Sequence, residues 1–203
     1  MRFALALCSG LILVGCSKAR MIVPSTTQSS PISVISSAST GSSQKLAATF
    51  EDPNGGRHIK EVTVSIMSDK AMPGGRSRWS SNECLIRYDI ETNGIWLVPD
   101  LGGTWGSHPI IAGSSSSFSN SQCTVLASGS SANVSGNTVT VTVEVRFTPR
   151  FAGLKHLYLG CADINGNWST NYQQQFGTLT VEAPVHHRGG PICILSRVQW
   201  LTT

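Results

Sequence analysis

"TVTVTVEVRF", residues Thr138 to Phe147, alternates without a break over ten positions. Val139, Val141, Val143, Val145 and Phe147 fall on one side, and Thr138, Thr140, Thr142, Glu144 and Arg146 on the other. Successive side chains of an extended chain point to opposite faces, so this period specifies a strand with one buried face. A helix would scatter the same valines around its circumference, and β-branched residues lose rotamer freedom there. "EVTVSIM" at 61–67 repeats the pattern, with Val62, Val64 and Ile66 opposed to Thr63 and Ser65.

Working outward, shorter apolar runs at 46–50, 84–90, 95–98, 122–127, 154–162 and 177–182 bring the predicted strands to eight. They are separated by turn chemistry: "DPNGG" at 52–56, "ETNG" at 91–94, "VSGN" at 134–137 and "DINGN" at 163–167. No segment carries a convincing helical stripe. The prediction is an all-β fold, an antiparallel two-sheet immunoglobulin-like sandwich of seven to eight strands, with a jelly roll or small barrel as the alternative use of the same strands.

The 203 residues hold one domain of ordinary size together with a leader and linker. Only 13% of residues are charged and the net charge of +4 is scattered, so no basic stripe points to nucleic acid. The first sixteen residues, "MRFALALCSGLILVGC", place Arg2 before an apolar run too short to span a bilayer by itself, which reads as an export signal. Its ending, Leu13, Val14, Gly15 and Cys16, resembles a bacterial lipobox, which implies lipidation of Cys16 and a membrane anchor in the cell envelope. Simple cleavage and secretion is the alternative. Cys8 follows Leu7, a poor residue at a cleavage site, and reads as an apolar filler.

Residues 17–44 are dominated by Ser and Thr with no periodic apolar face, and are expected to form a flexible tether about 30 Å between its ends. Ile22, Val23, Ile32, Val34 and Ile35 leave open the docking of part of it as an edge strand. The domain proper is then 45–182, and 183–203, with "ICILSRVQWL", is a tail that either adds an edge strand or stays an appendage.

Cys84 shares a face with Ile86 and Tyr88, and Cys123 shares one with Val125, so both belong on inward faces. In an exported protein that pairing predicts a disulfide. Two free buried thiols are the alternative. Cys161, on the face of Leu157 and Leu159, reads as a small core residue whose other available partner is Cys193.

A wider set of residues carries a resemblance. Phe50, Asp52 and Gly55, then Val62 and Val64, Cys84 with Tyr88, "NSQC" at 120–123, "GSS" at 129–131, "SGN" at 135–137, "FAG" at 151–153 with Lys155, Tyr158, Asp163 and "GTLTV" at 177–181 resemble an immunoglobulin-like repeat of secreted acidobacterial proteins. The resemblance spans about 47–182, departs at Cys161 and Leu179, and implies the fold and export but no activity.

Signals for chemistry are sparse. His58, His108, His156, His186 and His187 sit in no metal-ligand spacing, and the serine run at 113–121 lacks a G-x-S-x-G elbow and reads as a loop. Asp163, Asn165 and Asn167 imitate the start of a calcium loop, but position twelve is Gln174, so an Asx-type turn is predicted. No metal, cofactor or catalytic residue is assigned, although Asp100, His108 and Asp163 are available for convergence at one end of a sandwich. Trp79, Trp105 and Trp168 fall in predicted loops, either as lids over the core or as stacking surfaces for sugars, and Trp96 alternates within a strand. The functional expectation is a non-catalytic, surface-anchored adhesion, structural or protein-contact module, with carbohydrate binding through loop tryptophans as the alternative.

Overall fold

Thr138–Phe147 is the central strand of a five-stranded sheet. The structure, a computed structural model, describes residues 28–38, 40–68, 83–100, 105–106, 108–170 and 174–183. Along the described chain run β1 (Ser30–Ser36), β2 (Ser43–Glu51), β3 (Ile59–Ser68), β4 (Cys84–Asp89), β5 (Gly94–Leu97), β6 (Ile110–Ile111), β7 (Ser117–Ser119), β8 (Cys123–Ser135), β9 (Thr138–Phe147), β10 (Gly153–Asp163) and β11 (Gln175–Val181). Short 3-10 turns occupy Gly56–His58 and Pro149–Phe151.

The smaller sheet has the order β1-β2-β9-β8-β7 and the larger β11-β10-β3-β4-β5-β6, with every neighbouring pair of strands antiparallel. This order is that of an immunoglobulin variable-type sandwich, A-B-E-D facing G-F-C-C′-C″, with β6 and β7 added at one side. The eight predicted strands are all present, and β1, β6 and β7 bring the number among the described residues to eleven, above the seven to eight expected. The inward residues of β9 meet Leu46, Ala48, Phe50, Val62, Val64, Ile66, Ile86, Tyr88, Leu157 and Leu159 in one core. Burying each valine of β9 contributes about 1.5–3 kcal/mol.

Cys84 and Cys123 are joined, with Cα atoms 5.8 Å apart, and the bond ties β4 of one sheet to β8 of the other. Asn120 sits beside it with every hydrogen-bonding position used. Its Oδ1 accepts the amides of Gln122 and Cys123, both at 2.9 Å, and its Nδ2 donates to the carbonyls of Glu83 at 3.0 Å and Val98 at 2.9 Å. The "NSQC" stretch is therefore a second, polar link between the sheets.

Two segments depart from the expectation. The tether assigned to 17–44 is not a tether throughout, because Ser30–Ser36 pairs with β2 from Ser30 opposite Glu51 to Ser36 opposite Leu46. Its order comes from backbone pairing and from Gln44, which is 1% exposed and accepts Ser36 Oγ, Ser37 Oγ and the Ala38 amide while donating to Thr40 O at 2.8 Å. The ordered sandwich thus begins ahead of residue 45. The serine run at 113–121 likewise contains β7, whose Ser117, Phe118 and Ser119 face Leu126, Val125 and Thr124 of β8.

β8 is thirteen residues long because a polar device carries it past an interruption between Leu126 and Ser131. There the buried Ser130 Oγ donates to Leu126 O at 2.7 Å and accepts the Glu144 amide at 3.1 Å, replacing the missing ladder bonds. Both sides of the sandwich are crossed by chain. Gly41 N donates to Thr180 O at 3.1 Å on one side, and on the other Ala112 N donates to Asn93 O at 2.9 Å and Gly113 N to Ala127 O.

Candidate functional site

β10 leaves its sheet at Asp163, level with Ile59 of β3 and beside the turn Gly56–His58. Residues 164–168 are all exposed. They are nonetheless fixed. The Asp163 carboxylate accepts the amides of Asn165 and Asn167, both at 2.8 Å, and Asn167 Nδ2 at 2.9 Å, while its carbonyl accepts Gly166 N at 3.0 Å. Ile164 N donates to His58 O at 2.9 Å, from a residue more than a hundred positions away in sequence. Burial of Asp163 would raise its pKa, but the donors from Asn167 and Asn165 outweigh it and hold the carboxyl below its ordinary range. The "DINGN" stretch is an Asx-type turn, as its spacing predicts.

Trp168 closes this loop opposite Ala162, flanked by bonds from Asp163 N to Asn167 O at 3.1 Å and from Ser169 N to Cys161 O at 2.8 Å. Its carbonyl accepts Gln28 Nε2. On this immobilised backbone Ile164 is 56% and Trp168 41% exposed, two large apolar side chains held toward solvent.

Beneath the loop lies a polar cluster. Asp52, fully buried, accepts Ser29 Oγ at 2.5 Å, Asn54 N at 2.7 Å and His58 Nδ1 at 3.0 Å. Burial acts to raise its pKa, and the Ser29, Asn54 and His58 donors together lower it below the usual value. Cys161 is a free, buried thiol pushed up to about 12 by burial, opposed by a hydrogen bond with Ser169 and reinforced by the Asp52 and Asp163 charges. A neutral thiol is neither a nucleophile nor a metal ligand. Through Asp52 the cluster ties Ser29, at the start of β1, to Asn54 and to His58 of the Gly56–His58 turn. Among the described residues, no three His, Cys, Asp or Glu side chains are grouped so that they could hold a metal ion.

A second aromatic grouping lies on the outer face of the larger sheet, where Arg87 of β4 stands opposite Trp96 of β5. Its guanidinium is 4.2 Å from the Trp96 ring centroid and 4.8 Å from that of Trp105, and Nη1 is 3.6 Å from Glu61 Oε2. A Cβ at Gly94 would come within 2.8 Å of two Trp96 ring carbons, so the indole would have to shift to admit it. Trp105 rests against Arg87 on the outer face of the sheet.

Two of the three predicted stacking residues, Trp105 and Trp168, fall among the described residues. Trp105 leans on Arg87, Trp168 is presented on the 164–168 loop, and Trp79 lies outside the described residues, as do Cys16 and Cys193. Asp100 accepts the amide and hydroxyl of Ser121 beside the disulfide end, while Asp163 is at the opposite end, so these two do not converge. Sequence reasoning missed Ile164, Gln28 and Arg87. Comparison with protein-family models, curated proteins and solved structures finds no match to this chain.

Proposed function

We propose that this chain is a non-catalytic, exported and lipid-anchored immunoglobulin-like module, akin to the secreted repeat it resembles, that acts by contact at the cell surface. The observation that carries the reading is the presentation of Ile164 and Trp168 on a loop whose backbone is already hydrogen-bonded. An apolar pair exposed on a preorganised backbone has little ordering entropy left to lose on binding, which is what a recognition loop requires. The saturated carboxylates and the neutral Cys161 support a scaffolding rather than a chemical role for the groups beneath it.

The test places a photoactivatable amino acid at Ile164 in the whole chain, expressed in its own envelope, with the same group at Thr140 on the outer face of β9 as reference. Cross-linked adducts should form from position 164 and not from position 140. Equal yields at both would refute a contact role for the loop. The carbohydrate alternative keeps one favourable observation, the exposed Trp168 indole beside Asn165 and Asn167. Glycan-array binding that disappears with Trp168→Ala would move the conclusion to it.

A further inference from the structure

The larger surface that Ile164 and Trp168 would meet is set by where the chain enters the domain. Gln28 bonds to the Trp168 carbonyl, and Ser29 bonds to the buried Asp52, so the described chain starts at the same end of the sandwich as the exposed loop. Gln28 lies twelve positions after Cys16, a length that spans no more than about 40 Å fully extended. The eleven residues of β10 carry the other end of the domain about 35 Å further away. We infer that the partner of the 164–168 loop is the lipid surface to which the chain is tethered, with Ile164 and Trp168 seated among the headgroups. This rests on the lipid-anchored reading of Cys16.

The loop's chemistry suits that surface. Tryptophan favours the membrane interface, where an apolar ring and a polar N–H are both accommodated. An exposed isoleucine beside it has apolar area to bury. Backbone amides entering a region poor in water must bring their own acceptors. Here the amides of Ile164, Asn165, Gly166 and Asn167 are bonded to His58 O, Asp163 Oδ1, Asp163 O and Asp163 Oδ1 respectively. Arg57 and Lys60 are exposed beside the loop, but Glu51 and Glu91 are exposed at the same end and Asp52, Asp89 and Asp163 lie there as well, so acidic groups outnumber basic ones and the apolar pair carries the attraction. The contact should therefore persist on uncharged vesicles and in high salt.

The experiment reconstitutes the full chain into vesicles of phosphatidylethanolamine and phosphatidylglycerol containing a phospholipid with a carbene-generating group near its headgroup. After photolysis, label should appear in tryptic peptide 156–188, localised to Ile164 and Trp168, and should fall at least tenfold in Ile164→Ser/Trp168→Ser. Both side chains are exposed, so the variant should melt like the wild type, and that melt is recorded alongside. Peptide 156–188 left unlabelled, or labelled equally in the variant, overturns the inference. Fatty-acid labelling of Cys16 is scored separately. Its loss with Cys16→Ser supports the anchor, equal labelling of both chains refutes the anchor and with it the tethered geometry, and an unlabelled loop on a chain lipidated at Cys16 overturns the loop contact alone.

Discussion

Reduction of the Cys84–Cys123 bond should destabilise the domain by an amount set by the chain it encloses. The two residues are 39 apart, and the loop-entropy relation gives about 4 kcal/mol for a closed loop of that length at room temperature. Both cysteines are fully buried against the core, so replacing them would also remove packing, whereas reduction leaves the sulfur atoms in place. The assay is a urea melt of the wild type with and without reductant, repeated on Cys84→Ala/Cys123→Ala. At a slope of about 2 kcal/mol/M, reduction should move the wild-type midpoint by about 2 M. The double variant should melt lower and ignore the reductant. The slope should also rise when the bond is cut, because the unfolded chain then exposes more surface. A difference below about 1 kcal/mol would refute the reasoning, since the enclosed chain would then remain compact when unfolded or the link would not be made. Peptide mapping without reductant separates those outcomes.

Gly94→Ala should cost about 1–3 kcal/mol through overpacking and shift the tryptophan emission, because a methyl there displaces the Trp96 ring from beneath Arg87; an unchanged melt and spectrum would remove the steric argument. Cys161, its thiol pushed up to about 12, should be alkylated by iodoacetamide at pH 8 only as fast as the domain opens, and rapid modification of the native protein would contradict its burial. Asp52 and Asp163 are held below the ordinary carboxylate value of 3.8, so each contributes stability that is complete above that value and is lost as pH falls through the folded pKa. Melts recorded from pH 7 downward should show these contributions constant until about pH 4 and declining below it. Asp52→Asn should reduce that acid decline, and a decline of the same size in the variant would assign it to other groups.

How legible the fold was depended on where each strand's stabilisation comes from. β9 and β3 advertise themselves because burial of alternate valines and isoleucines stabilises them, and that pattern is local in sequence. β1, β7 and the second half of β8 carry no such pattern. β1 is ordered by the edge of β2 and by Gln44, and β8 runs on because Ser130 bridges the break between Leu126 and Glu144. In each case one partner of the ordering bond lies several residues away or on another strand, and a serine's own identity does not say which carbonyl or amide it will meet. The same holds for "NSQC". Its sequence suggests a turn, but only the paired strands show that Asn120 donates to carbonyls 37 and 22 residues away.

The candidate loop divides along the same line. The Asx turn was legible because Asp163, Asn165 and Asn167 satisfy one another within five residues, and the absence of an acid at Gln174 argued against calcium. Ile164 was passed over because one apolar residue inside a polar turn carries no period from which to infer a face. Its exposure follows from the bond of its amide to His58 O, and so from β3 and β10 lying side by side. Arg87 had a usable signal. The turn in "ETNG", with Asn93 at φ 54, pairs Asp89 with Gly94 and therefore Arg87 with Trp96 two residues further along. No periodicity in the sequence foretells that Trp105 also rests against this guanidinium. Loops earn their positions from the strands that carry them. In this chain the two aromatics of functional interest were separated by such contacts, Trp105 toward the sheet and Trp168 toward solvent, although their local sequences offered the same reading for both.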